Sequence, residues 1–82
     1  MIIQVLGTGC TRCKTLFENA KKAVQESGVD AVVEKVEDIQ KIMAFEILKT
    51  PGLVIDGVVK TAGRVPNVGD IKKLILEAKE DG

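Results

Sequence analysis

Cys10 and Cys13 stand two residues apart in the stretch GTGCTRCK, and the 82-residue chain has no other cysteine and no histidine. Such a pair can exchange disulfides, supply half of a metal site, or pack as two small apolar groups. A closed zinc site takes four ligands, usually cysteine and histidine. This chain supplies two thiols, so only a dimer completes a sulfur-rich site.

The two thiols are not equivalent. Residues three apart on a helix share a face, so both sulfurs can come within bonding distance without distorting the backbone. Cys13 begins an apolar stripe, whereas Cys10 sits in the glycine-rich loop ahead of it. An attacking thiol must be reachable and a resolving thiol can be sheltered, which makes Cys10 the nucleophile and Cys13 the resolver. Cys10 also lies at a helix start, where a thiolate gains about 0.3 to 1 kcal/mol from the helix dipole. That lowers its pKa below the ~8.5 of a free thiol. Thr11 and Arg12, inside the motif, are placed to modulate the pair. For Arg12 three roles stay open: tuning Cys10, steering an acidic partner, or simple solvation.

The elements that must hold this pair follow from periodicity. Ile2 to Leu6 is a nearly continuous apolar run ending at Gly7, as in a central strand buried on both faces. Its polar member, Gln4, reads as a core amide bonded to backbone. From Thr11 to Ser27 the period becomes helical: Cys13, Leu16, Phe17, Ala20 and Val24 form one stripe, and Gly28 ends the helix. Ala31 to Val36 reads as a strand near a sheet edge. Asp38 caps a second helix with Ile39, Ile42, Met43 and Phe45 facing inward, and Thr50-Pro51-Gly52 stops it. Leu53 to Ile55 and Val58 to Ala62 are strands joined by the hairpin turn Asp56-Gly57. Gly63 either ends the second of these or lets a partner's backbone approach near Pro51. Asn67 caps a last helix whose stripe is Ile71, Leu74, Ile75 and Ala78. The first strand-helix-strand unit implies parallel strands with a right-handed crossover; the hairpin adds antiparallel ones.

Composition narrows the function further. Length gives one domain, residues 1–82. Apolar residues make up 45% of the chain, but Phe17 and Phe45 are the only aromatics, so the core is aliphatic. Twelve Lys and Arg balance twelve Asp and Glu, which argues against nucleic acid or an anionic membrane as partner. No apolar run approaches the ~20 residues of a membrane span. The first residues lack the basic start and apolar region of a signal peptide. These features place the protein in the cytoplasm, where a close cysteine pair is more often catalytic or metal-binding than structural.

The order strand-helix-strand-helix-strand-strand-helix, with GCTRC after the first strand, ILKTPGLVIDG before the hairpin and GRVPN before the last helix, resembles the thioredoxin-like superfamily. It is most similar to the small redox-active disulfide proteins of archaea and bacteria. The resemblance covers nearly the whole chain. It implies an α/β fold, with a four-stranded mixed sheet flanked by three helices. It implies a thiol–disulfide oxidoreductase that reduces protein disulfides, with Cys10 as nucleophile and Cys13 as resolving thiol. A cis Pro51 would face the disulfide, and Thr50 would offer backbone groups to an extended substrate. It implies no cofactor beyond the Cys10–Cys13 disulfide itself and no metal. Its partners are a disulfide-containing target protein and a reductase as electron donor, and the expected state is a monomer. The chain departs from the family at the position six residues before the first cysteine. Many thioredoxins hold an acid there, where this chain has Gln4; another group, of which Glu37 is one candidate, or water, or nothing takes its place. Two alternatives remain. GTGCTRC superficially resembles the loop of heavy-metal-associated domains, and two thiolates suit Cu(I), although those domains do not end in a helix. A thiol sensor that uses the fold without turnover is the other.

Overall fold

The computed structural model describes residues 1–9, 11–47 and 49–81. The elements are β1 (Ile2–Leu6), α1 (Thr11–Ser27), β2 (Val32–Val36), α2 (Ile39–Ala44), β3 (Gly52–Ile55), β4 (Val58–Ala62) and α3 (Val68–Asp81). The strands form one mixed sheet in the order β2-β1-β3-β4. β1 runs parallel to β2 and antiparallel to β3, and β3 runs antiparallel to β4. The apolar β1 is thus interior to the sheet, and β2, with exposed Glu34 and Lys35, is an edge.

Alternation along the strands sends successive side chains to opposite faces, and each face has its own core. Ile3 and Val5 of β1 and Leu53 and Ile55 of β3 pack with Leu16, Ala20 and Ala23 of α1 and with Ile71 and Ile75 of α3. Leu6, Val54 and Val36 pack with Ile42 of α2 on the other side. Burying one such aliphatic side chain contributes about 1.5 to 3 kcal/mol, so these cores fix where the strand ends lie. Three local signals close the frame. Asp38 Oδ1 accepts from the Gln40 N–H at 2.9 Å, and Asn67 Oδ1 accepts from the Asp70 N–H at 2.8 Å, each capping a helix start. Asp56 and Gly57 both have positive φ, at 50° and 82°, as a two-residue hairpin turn requires. Asp56 further pins the hairpin to β1, accepting from the Ile2 N–H at 2.8 Å and donating to the Ile2 carbonyl at 2.8 Å.

Two expectations need correction. On α1 the fully buried residue in the fourth turn is Ala23, with Phe17 and Val24 only partly buried. α1 packs against both the sheet and α3, so its buried face is wider and rotated from the stripe drawn from large residues alone. On α2 only Ile42 is buried, whereas Ile39 and Met43 are 61% and 67% exposed. A six-residue helix makes fewer than two turns, so one side chain plugs the core and its apolar neighbours point outward. Phe45 does pack against that core, partly buried.

Candidate active site

β1 ends at Leu6, and the chain turns at Gly7 and passes through Gly9, with φ of +87°, into α1. Cys10, the expected nucleophile, lies outside the described residues, as do Leu48 and Gly82. Cys13, on the first turn of α1, is 5% exposed. Its sulfur lies against Gly7, so closely that a Cβ on Gly7 would overlap it, and that same Cβ would stand 4.0 Å from Pro51 Cα. Gly7, Cys13 and Pro51 therefore meet at one point. Pairing of β1 with β3 produces this meeting: Leu6 is opposite Gly52, which brings the ends of the two strands side by side. The Thr50–Pro51 peptide bond is cis, Pro51 is buried and Thr50 is exposed.

The motif is tied to the far strand as well. Arg12 Nη2 donates to the Gly63 carbonyl at 2.8 Å, and the Gly63 N–H donates to the Pro51 carbonyl at 2.8 Å. Thr11 begins α1 and is exposed, its carbonyl accepting from the Thr15 hydroxyl at 3.0 Å. The first turn of α1 carries no acidic residue but holds Arg12 and Lys14. Cations there oppose the helix dipole, at a cost of a few tenths of a kcal/mol each, and favour an anion at the helix mouth.

A small cleft of about 40 Å³ opens beside Cys13, lined also by Gly7, Gly9, Lys14, Lys35 and Glu37. That is room for one or two waters. Lys35 reaches across toward α1 as well, its ammonium 4.6 Å from the Phe17 ring centre. Val5 also lines the cleft. Gln4, its neighbour on β1, points to the opposite face, that of Leu6 and α2. Gln4 is half-buried and makes no side-chain hydrogen bond among the described residues, in place of the backbone-bonded core amide expected. The carboxylate that shares the cleft with Cys13 is Glu37.

Sequence reasoning missed two contributors. Gly7 read only as a strand end; the signal, a glycine between an apolar strand and a cysteine helix, is ambiguous without the sulfur in place. The bond from Arg12 to Gly63 spans 51 residues, and no local pattern encodes it.

A sheltered thiol on the first turn of a helix, packed at the end of a central strand and against a proline loop, on a β-α-β-α-β-β-α frame, is the layout of a thiol-redox protein. The model of the thioredoxin domain family matches residues 1–76, and the chain belongs to that family. A thioredoxin of Methanothermobacter thermautotrophicus is 43% identical over 75 residues, spanning 92% of this chain and 97% of its own length. A thioredoxin of Methanocaldococcus jannaschii is 42% identical over 82 residues, spanning 96% and 94%. At the level of the family the protein is a thiol–disulfide oxidoreductase, a disulfide reductase of the thioredoxin type. No helix among the described residues is long and apolar enough to cross a membrane.

Proposed function

We propose that the protein reduces disulfides in target proteins, with Cys10 as the attacking thiolate and Cys13 as the resolving thiol. The observation that carries this reading is the placement of the Cys13 sulfur: sheltered, against Gly7, with the Pro51 loop beside it. Cys10 precedes it by three residues in the sequence, the spacing at which two cysteines at a helix start can close a disulfide.

The Cys10 thiolate attacks one sulfur of the target disulfide. The target S–S bond breaks, a mixed disulfide forms, and the departing target sulfur takes a proton. Cys13 then loses its proton and attacks the Cys10 sulfur. The second target thiol leaves, and a Cys10–Cys13 disulfide remains. A reductase restores the dithiol with two electrons and two protons. No cofactor beyond that disulfide takes part. Glu37, which lines the same water-sized cleft as Cys13, is the group we assign to accept the Cys13 proton through water.

Target binding falls to the loop before β3. The Pro51 carbonyl is already taken by the Gly63 N–H, so exposed Thr50 is left to meet an extended target backbone. The setting we assign is the cytoplasm, with the protein acting as a monomer.

The soft-metal alternative finds no support in the frame, because the element order ends in a hairpin and α3, unlike a heavy-metal-associated domain. Insulin-disulfide reduction tests the proposal, first with dithiothreitol and then with candidate reductases. Wild type should turn over repeatedly. Cys10→Ser should abolish turnover, and Cys13→Ser should halt at a mixed disulfide. Turnover that survives Cys10→Ser contradicts the assignment.

A further inference from the structure

Gly63 gathers two exposed cations at the edge of the site. Its carbonyl accepts from Arg12 Nη2 at 2.8 Å, and its N–H donates to Pro51 at 2.8 Å. Its φ is +74°, and a Cβ built there would fall 2.9 Å from Lys49 Cβ and 3.3 Å from Lys49 Cδ. The aliphatic stem of Lys49 therefore lies along the glycine, one residue ahead of Thr50. Three segments converge on this point: the first turn of α1, the proline loop and the end of β4.

Among the described residues neither cation is paired with a carboxylate. The one ion pair among the described residues joins Lys72 to Glu26. Glu46 lines a groove with Lys49 and Ala62 but is not paired with it. Glu37 faces Lys14 and Lys35 in the separate cleft beside Cys13. Arg12 has spent one of its five N–H donors on a neutral carbonyl, which holds the planar guanidinium in place with the other donors available. A fixed guanidinium is suited to a carboxylate, which takes two parallel charge-assisted bonds.

We infer that the preferred targets carry an aspartate or glutamate within a few residues of the disulfide, read by Arg12 and Lys49. This rests on the proposed disulfide-reductase function and names the class of target it favours. A segment laid along Thr50 to bring its disulfide to the cysteines passes the rim at Gly63, so the charge on that segment meets both cations.

The test uses three disulfide peptides of one sequence, with Glu, Gln or Lys at the flanking positions, and measures kcat/KM for each with dithiothreitol as reductant. The wild-type protein should prefer the Glu peptide over the Gln peptide by about three- to tenfold at low salt, the range two exposed ion pairs supply. The Lys peptide should be slowest. At about 0.5 M salt the spread should shrink, because exposed charges are screened. In the Arg12→Gln/Lys49→Gln double variant the Glu-to-Gln ratio should fall to about one, while Lys72→Gln should keep the wild-type ratio. Equal rates on the three peptides, or an unchanged preference in the double variant, overturn the inference alone. Reduction of none of the three overturns the reductase reading itself.

Discussion

The Cys13 sulfur fills the space that a side chain on Gly7 would need. Gly7→Ala must therefore push the sulfur or the β1–α1 turn aside. The expected cost is about 1 to 3 kcal/mol, as for other overpacked sites, measured by urea unfolding of the reduced protein. In a Cys13→Ala background the sulfur is gone and the penalty of Gly7→Ala should shrink. An equal penalty in both backgrounds would place the strain elsewhere.

Glu37 shares a water-sized cleft with Cys13, whereas Gln4 faces away from it. Glu37→Gln should slow release of the reduced target from the mixed disulfide by about a hundredfold, the lower end of general-base contributions. The first attack by Cys10 should be little changed. Stopped-flow resolution of the two steps checks this. Gln4→Ala should leave the release step within about twofold of wild type, since its side chain projects from the opposite face of β1.

α2 separates packing from surface within one turn. Ile42 is 6% exposed and Met43 67%. Ile42→Ala should cost about 2 to 5 kcal/mol by emptying its place between Leu6, Val36 and Val54. Met43→Ala should stay within about 0.5 kcal/mol. Paired denaturation curves decide it, and similar losses at both positions would contradict the assigned face.

Asn67 accepts from the Asp70 N–H at 2.8 Å and so caps α3. Asn67→Ala should cost about 0.5 to 2 kcal/mol, while Asn67→Ser should restore most of that. The readout is thermal unfolding. Because α3 covers the core through Ile71 and Ile75, the loss should appear in global stability rather than as local fraying.

The parts of this molecule that were legible in advance are those written locally. α1 begins at Thr11 and ends at Ser27, as its period change and Gly28 dictate, and the Asp56-Gly57 turn sets the hairpin. The inward face of α2 was legible only in part, at Ile42 and Phe45 and not at Ile39 or Met43, because a helix this short offers too few apolar positions to define a period. That Ala23 joins the α1 core, with Val24 packed at its margin, has a similar origin: an alanine carries little hydrophobic signal. Arg12 and Lys14 break the usual preference for acids in a first helical turn. Local rules broken in this way mark a functional end of a helix, and this one lies at the cysteine motif. Its partner Gly63 comes from β4's far end, so only the fold reveals it.

The account rests on a division of labour between the two thiols. The direct measurement is the alkylation rate of each cysteine in the reduced protein across pH, resolved by mass spectrometry of the two labelled positions. Alkylation follows the thiolate, so its rate rises with pH through the thiol's pKa, and a stabilised thiolate moves that rise to lower pH. Cys10 should react faster than Cys13 throughout, with its rise below that of a free cysteine. Equal rates at both positions, with Cys10 rising where a free thiol does, would contradict the account.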